Sequence, residues 1–253
     1  MDPADRHPEI LRIARREGRV AVEPLARSLG VSVQTIRRDL SELAEAGLLD
    51  RVHGGAMLPS GTRNIAYDAR RALNDRAKAA IAEAAAGMVA DGASVFLNIG
   101  TTTEAVARAL APRSGLLAVT NNLNVAAILG RQGGAEVVVA GGTLRAADNG
   151  LVGPAAAEAV ARYRADLAII GCSALDAGGT LLDFDSAEVA VSRAMIAHAR
   201  QTILVADASK FRRTAPVAIA SLADIDSFVT DAPLPAPLAA RARDWPTRIV
   251  VAG

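Results

Sequence analysis

The spacing of hydrophobic residues divides the 253-residue chain into two parts with different patterns. In the first part, apolar residues recur every three or four positions, as they do on the buried face of a helix. This spacing predicts three helices: from Pro8 to Gly18, from Glu23 to Leu29, and from Ser32 to about Gly47. Short strand-like pieces around Gly54-Gly55 predict a hairpin after them. Three helices and a hairpin are typical of a winged helix-turn-helix domain.

In the second part, short runs of Val, Ile and Leu alternate with helical patterns. The runs predict strands at 94–99, 116–120, 136–142, 166–171, 202–207, 227–231 and 248–252. Continuous apolar strands separated by helices are typical of a parallel sheet covered on both faces. Residues 58–75 show no sustained period and are predicted to form a linker. The predicted fold class is α/β, with a winged helix-turn-helix domain at 1–57 and a larger parallel-sheet domain at 76–253.

Composition and charge indicate which classes of protein and which partners the sequence favours. The net charge of +1 indicates no overall preference for nucleic acid or for membranes. Cys172 is the only cysteine, so no intrachain disulfide can form, and the first twenty residues are too charged for a signal peptide. No apolar run approaches the roughly 20 residues that span a bilayer. We therefore expect a cytoplasmic protein without a membrane partner, and the absence of a His or Cys cluster predicts no metal and no cofactor.

The third predicted helix carries polar residues suited to reading DNA. Arg can bind guanine bidentately, Gln can bind adenine, and hydroxyl groups near a helix start can bind phosphate. The predicted DNA contacts on this helix and on the hairpin are Ser32, Gln34, Thr35, Arg37, Arg38, Arg51 and His53. Residues 1–57 nevertheless hold nine arginines and nine acidic residues, whereas DNA-binding domains are usually basic. A three-helix dimerisation module is therefore the alternative.

Polar residues also follow the predicted strands of the second part. The carboxyl ends of parallel strands meet at one edge of a sheet, where ligands bind. A turn through Gly100 and three threonines leads from a strand into a helix, so its N–H and hydroxyl groups can hold an anion. These donors, together with a cation, suit a phosphorylated polyol. The predicted effector contacts are Asn98, Gly100, Thr101, Thr102, Thr103, Asn121, Asn122, Gly141, Gly142, Arg145, Asp185, Glu188 and Lys210.

Several of these residues have a second interpretation. The two asparagines can stabilise a turn, Arg145 can be a surface charge, and Glu188 can be an acid in the first turn of a helix. Asp183, Asp185 and Glu188 could instead be acid–base groups of an active sugar-phosphate isomerase. Lys78 and Lys210 are the only lysines in a chain that otherwise uses arginine, which makes both candidates for a specific role.

Longer motifs are similar to those of the DeoR family of bacterial transcription regulators. "VSVQTIRRDLSEL" at 31–43 and "DRVHGGA" at 50–56 carry this resemblance in the first part. In the second part it rests on the short motifs GTT at 100–102, TNN at 120–122, GG at 141–142 and SKF at 209–211. The resemblance implies that "TIRRDL" is the recognition helix. It also implies a sensor domain that resembles ribose-5-phosphate isomerase and keeps its pocket without its catalysis.

Within that family, segments such as "AGGTLRAADNGLVG" and "LLDFDSAEV" are similar to members that respond to sn-glycerol 3-phosphate. The resemblance implies this metabolite as effector, a double-stranded DNA operator, and a homo-oligomer, either a dimer or a tetramer. Another sugar phosphate is the alternative effector. Asn98 stands where the family usually has Asp, and Arg212 stands where it usually has Gly. We predict that Asn98 alters the affinity or the choice of ligand without abolishing the pocket.

Overall fold

The computed structural model describes residues 3–17, 19–46, 48–52, 54–57, 67–131 and 133–253. The chain forms two compact units, Met1–Leu73 and Asn74–Gly253, and each is described by itself. The elements of the first unit are α1 Pro3–Glu17, β1 Arg19–Ala21, α2 Val22–Leu29, α3 Val33–Glu45, β2 Asp50–Val52, β3 Gly55–Met57 and α4 Tyr67–Ala72. The strands form an antiparallel sheet in the order β1-β3-β2. The predicted winged helix-turn-helix arrangement is confirmed.

A single apolar core joins the three main helices to the small sheet. Side chains at 0–3% exposure come from all three helices and the small sheet, namely Ile10, Ala14, Leu25, Ile36, Leu40, Leu43, Leu49 and Ala56. Gly55 allows the close approach of β3 to β1, because a Cβ on it would lie 2.0 Å from the carbonyl oxygen of Val20. A glycine is therefore required at this point of the sheet.

One helix boundary and one strand of the first unit differ from the prediction. Helix α1 begins at Pro3, so Pro8 lies inside the helix and not at its start. Because Arg6 and His7 hydrogen-bond to Asp39 of α3, tertiary contacts support the turn that precedes this proline. Strand β1 was not predicted, since three residues are too few to show alternation. The predicted helix end at Gly18 and the residue Gly47 lie outside the described residues.

The second unit contains six helices and twelve strands among the described residues. They are α5 Asp75–Ala86, β4 Ser94–Leu97, α6 Thr101–Leu110, β5 Leu116–Thr120, α7 Leu123–Gly130, β6 Ala135–Val139, β7 Thr143–Arg145, β8 Gly150–Val152, α8 Pro154–Ala161, β9 Ala165–Ile170, β10 Ala174–Leu175, β11 Thr180–Asp183, α9 Ser186–Ala197, β12 Ala199–Val205, β13 Val217–Ser221, β14 Ser227–Thr230, α10 Ala236–Ala242 and β15 Arg248–Val251. Two short 3-10 helices, Ala208–Arg212 and Leu222–Asp224, flank β13. The part 58–66 of the predicted linker lies outside the described residues, and 67–72 form α4.

Seven parallel strands form the main sheet, in the order β15-β14-β12-β9-β4-β5-β6. One face is covered by α5, α6 and α7, through side chains such as Ile81, Val106 and Leu129. The other face is covered by α8 and α9, through side chains such as Val160 and Met195. The predicted parallel sheet with helices on both faces is confirmed.

Two small antiparallel sheets were not predicted. Strands β7 and β8 form a hairpin, and β10, β11 and β13 form a three-stranded sheet packed on its own apolar cluster. Most of these strands have only two to four residues, which is too short for a period to be recognised. Within the described ranges, no helix combines the length and the hydrophobicity that crossing a bilayer requires.

Candidate functional site

The start of helix α3 is fixed by its own first turn. The Ser32 hydroxyl accepts a hydrogen bond from the Thr35 N–H at 3.0 Å and lies 2.8 Å from the Thr35 hydroxyl. Ser32 is thus the N-cap, and both predicted phosphate contacts are already bonded to each other. Gln34 and Arg37 are exposed, and within the described part of the chain no hydrogen bond or ion pair involves either side chain. They are the two predicted DNA contacts whose polar atoms are uncommitted.

Two further predicted DNA contacts, Arg38 and Arg51, donate hydrogen bonds to groups of helix α3. Arg38 donates to Glu42 at 3.1 Å, one turn further along α3. Arg51, on strand β2, donates to the carbonyl oxygen of Arg37 at 3.1 Å. The side chain of Arg51 therefore links the hairpin to the recognition helix. His53 lies outside the described residues.

The buried carboxylate of Asp39 orients α3, and the sequence interpretation missed it. Arg6 of α1 donates two hydrogen bonds to it, from Nε at 2.5 Å and from Nη2 at 2.8 Å, and His7 lies 3.3 Å away. The side chains of Arg6 and Asp39 are only 5% and 3% exposed. These hydrogen bonds lower the pKa of Asp39 against the effect of burial. The available signal was the spacing of Asp39, which follows Ile36 by three residues and precedes Leu43 by four, and so lies on the buried face of the helix.

In the second unit, the predicted effector contacts lie at the carboxyl edge of the main sheet. Asn98 follows β4 and is 2% exposed. Its amide donates to the carbonyl oxygen of Gly171 at 3.2 Å and to the Ser192 hydroxyl at 3.1 Å, and it accepts from the Gly171 N–H at 2.9 Å. Asn98 thus joins β4 to the end of β9 and to α9.

The turn through Gly100 forms the N-terminus of helix α6. Thr101 and Thr102 occupy its first two positions and are 8% and 5% exposed. The Thr103 hydroxyl donates to the carbonyl oxygens of Asn98 at 2.9 Å and Gly100 at 2.8 Å, so it serves the turn itself. The first N–H groups of a helix have no partner within the helix and lie at its positive end. The turn therefore has the donors and the field that an anion requires.

Two asparagines follow β5 and have different roles. Asn122 caps α7, because its Oδ1 accepts from the N–H groups of Asn124 at 2.9 Å and Val125 at 3.4 Å. Its Nδ2 donates to the buried Glu104 of α6 at 3.3 Å. Asn121 holds Leu151 of the β7–β8 hairpin by an amide-to-carbonyl bond of 2.9 Å. Both side chains connect elements at this edge of the sheet.

Arg145, at the end of β7, lies among three carboxylates. Its guanidinium donates to both oxygens of Asp148 at 2.9 and 2.7 Å, to Asp185 at 2.7 Å and to Glu188 at 2.6 Å. These contacts raise the pKa of Arg145 despite its burial. Burial and the charge of Asp183 raise the pKa of Glu188 to about 8, against the opposing effect of Arg145. Asp185 also caps α9 through the Ala187 N–H at 2.8 Å.

Lys210 follows β12, in the 3-10 helix at the same edge. The carboxylate of Asp207 caps this helix through the Ser209 N–H at 3.0 Å and accepts from Asn74 at 2.9 Å. Although burial opposes ionisation, the charge of Lys210 and these bonds lower the pKa of Asp207. Burial raises the pKa of Cys172 to about 12, so the neighbouring thiol is neutral. The cation at this edge is therefore placed beside an ionised carboxylate.

The glycines between β6 and β7 differ from each other. Gly142 has a φ of +126°, and a Cβ on it would lie 2.8 Å from the carbonyl oxygen of Val152. Gly142 therefore permits close packing of the hairpin, while Gly141 is exposed with open space around it. A cavity of about 890 Å³ lies at the opposite edge of the sheet, beside Gln201, Ser227 and Arg248. None of the predicted effector contacts lines that cavity.

Comparison with known protein families assigns both units. The family described as DeoR-like helix-turn-helix domain matches residues 6–62, and the one described as DeoR C terminal sensor domain matches residues 73–232.

Curated relatives match the chain over nearly its whole length. The glycerol-3-phosphate regulon repressor of Escherichia coli (strain K12) is 43% identical, with 93% of each chain covered. The repressor of the same name from Haemophilus influenzae is 45% identical, with 89% of this chain and 88% of that one covered. The HTH-type transcriptional repressor CsqR of Escherichia coli is 42% identical, with 97% and 94% covered. Among solved structures, a D-ribose-5-phosphate isomerase in complex with phospho-erythronic acid is 14% identical, with a TM-score of 0.41 over 54% of each chain.

Proposed function

The chain belongs to the DeoR family, and we propose that it is a transcriptional repressor whose binding to a DNA operator is controlled by a phosphorylated metabolite. The effector we propose is sn-glycerol 3-phosphate, and the target genes are those of glycerol metabolism. The observation that carries the proposal is that donor groups from several strands converge on one edge of the sensor sheet. Such a repressor acts where the chromosome is, so we place it in the cytoplasm.

The DNA-binding half of the proposal rests on helix α3. Its N-terminal end presents Gln34 and Arg37 with uncommitted polar atoms, and these residue types read adenine and guanine in the major groove. The buried Arg6–Asp39 pair supports the proposal because it fixes α3 against α1. Two recognition helices about 34–36 Å apart are needed to read two half-sites. We therefore propose that the repressor is a homo-oligomer, either a dimer or a tetramer.

The effector half rests on the start of α6 and on Lys210. We propose that the N–H groups of Thr101 and Thr102 bind the phosphate and that Lys210 neutralises it. The carboxylates around Arg145 would accept hydrogen bonds from the hydroxyl groups of the polyol. In this arrangement Arg145 offsets the negative charge of Asp148 and Asp185, which would otherwise repel a phosphate.

The same contacts bear on the alternative of an active isomerase. A general base needs a carboxylate that is free to accept a proton from the substrate. Asp185 caps α9 and is paired with Arg145, and Glu188 is paired with Arg145 as well. The third candidate, Asp183, accepts hydrogen bonds from the Ser173 hydroxyl at 3.1 Å and from the Phe184 N–H at 2.7 Å. Binding without turnover is the function these pairings support, in agreement with the repressors among the relatives.

Control of DNA binding requires a ligand that prefers one state of the repressor. Shifting a population from 1:99 to 99:1 takes about 5.5 kcal/mol of differential binding. We propose that the effector favours an oligomer geometry that does not match the spacing of the operator. The linker 58–75 would transmit this preference between the two units.

A thermal-shift panel of phosphorylated metabolites tests the effector. A ligand that binds only the folded state raises the unfolding temperature by mass action. We expect sn-glycerol 3-phosphate to raise it and Lys210→Ala to abolish the shift, with Arg212→Ala on the same 3-10 helix as the matched control. A second candidate is another sugar phosphate, because a relative that is not named for glycerol 3-phosphate, CsqR, is 42% identical to the chain. A shift with another ester and none with sn-glycerol 3-phosphate would select that candidate.

A further inference from the structure

Val33 is an exposed apolar residue at the first position of helix α3. It is 36% exposed, and it is not part of the apolar core of the first unit, although Val31, two residues earlier, packs against that core. Valine is also a poor helix former, because its branched side chain is restricted at χ1. Neither packing nor helix propensity therefore accounts for valine at this position.

The neighbours of Val33 define what this end of the helix presents. Gln34 is adjacent to it, and Arg37 lies one turn further along on the same face, at the i,i+4 spacing. The hydroxyl groups of Ser32 and Thr35 are bonded to each other and so are committed to the cap. The uncommitted groups at this end are thus the amide of Gln34, the guanidinium of Arg37 and the two methyl groups of Val33.

We propose that Val33 contacts the 5-methyl group of a thymine in the major groove of the operator. This inference rests on the proposed function, in which α3 reads DNA. The N-terminal residues of a recognition helix face the base edges, and thymine is the base that presents a methyl group there. The contact removes a methyl group of Val33 and the methyl group of thymine from water. It adds an apolar contact to the hydrogen bonds by which Gln34 and Arg37 would read the bases.

The contribution of this contact can be isolated by removing the methyl group from the DNA. Replacing thymine by uracil deletes the 5-methyl group and leaves the hydrogen-bonding edges of the base pair unchanged. The loss expected from exposing one methyl group is about fourfold in affinity. If Val33 makes the contact, Val33→Ala removes the same interaction from the protein side, so the two changes together cost no more than one of them.

The experiment begins by selecting a tight-binding duplex from a random pool with the full-length chain. Each thymine of one half-site is then replaced by uracil in turn, and the dissociation constant is measured by fluorescence anisotropy. We expect one replacement to weaken binding by the wild type about fourfold and to leave binding by Val33→Ala unchanged. Val139→Ala is the matched control, because Val139 is also an exposed valine, 42% exposed, but lies in the second unit. It is expected to respond to uracil as the wild type does.

The outcomes separate this inference from the proposed function. If no duplex is enriched, DNA recognition by α3 fails, and the role of Val33 fails with it. If a duplex is bound but every replacement affects the wild type and Val33→Ala equally, recognition by α3 stands and the thymine contact is wrong. The unfolding temperature of Val33→Ala, expected to equal that of the wild type, shows whether the variant is folded.

Discussion

The polar residues of the two candidate surfaces differ in their exposure to solvent and in their hydrogen bonding. At the start of α3, Gln34 and Arg37 are exposed, and the described residues offer their side chains no hydrogen-bond partner. At the carboxyl edge of the sensor sheet, Asn98, Thr103 and Asn122 are at most 2% exposed, and each makes several hydrogen bonds within the unit. Replacing an exposed polar group that makes no hydrogen bond within the protein is expected to weaken ligand binding without lowering the stability of the fold. A member of a buried, satisfied network contributes to stability as well, so its loss affects both.

The largest effect is expected for Arg145→Ala, which tests the buried side of this comparison. The change removes the guanidinium from three acids, among them Asp148, whose side chain is only 3% exposed and carries a buried negative charge. We expect the free energy of unfolding of the second unit to fall by about 3–5 kcal/mol. Chemical denaturation measures this loss. Arg162→Ala, an exposed arginine after α8, is the control and should change the free energy by less than about 0.5 kcal/mol. Equal effects of both variants would contradict the network.

The pH dependence of stability provides the next test. Burial and Asp183 raise the pKa of Glu188 from its ordinary value of 4.5 to about 8 in the folded protein. The folded unit therefore binds more protons than the unfolded chain within this window, and the free energy of unfolding falls as the pH rises from about 4.5 to about 8. We expect Glu188→Gln to remove this decrease, which unfolding temperatures across the window measure. Parallel curves for Glu188→Gln and the wild type would show that Glu188 ionises normally.

The sequence predicted the strands and helices better than it predicted which side chains contact each other at the candidate effector site. The strand predicted at 116–120 has the observed bounds of β5, because its residues form a continuous apolar run between turn signals. The partners of Arg145 could not be predicted in this way, since Asp185 and Glu188 lie 40 and 43 residues along the chain. The unpredicted β7–β8 hairpin brings them together. The spacing of hydrophobic residues shows which face of a helix or strand is buried, but it does not show which side chains come into contact.

For the exposed residues at the start of α3, we expect a substitution to weaken DNA binding without lowering the stability of the fold. Arg37→Ala should weaken operator binding by about 1–3 kcal/mol, because a bidentate contact to guanine is lost. Its unfolding temperature should stay that of the wild type, since no described partner holds its side chain. Gel shifts and thermal unfolding of the same preparation measure both quantities.

Arg51→Ala is the matched control for Arg37→Ala. Its guanidinium donates to the carbonyl oxygen of Arg37, so we expect it to position the hairpin. A positioning role leaves the salt dependence of binding unchanged, whereas loss of a phosphate contact lowers the slope of log K against log salt by about 1. A lowered slope for Arg51→Ala would identify it as a phosphate contact.

The smallest effect on binding is expected for Asn98→Asp, which introduces the residue that the resemblance to the family leads us to expect at this position. The carboxylate can still accept from the Gly171 N–H, and the Ser192 hydroxyl can turn to donate to it. The bond to the Gly171 carbonyl oxygen is lost, so we expect a loss of about 1 kcal/mol in the free energy of unfolding. Because the described hydrogen bonds of the Asn98 side chain go to Gly171 and Ser192, we expect effector affinity to change by less than about 0.5 kcal/mol, in place of the altered affinity or ligand choice that the sequence predicted. The thermal-shift panel decides: a changed ranking of metabolites would mean that Asn98 contacts the ligand itself, and an unchanged ranking would make it part of the frame that holds β4, β9 and α9 together.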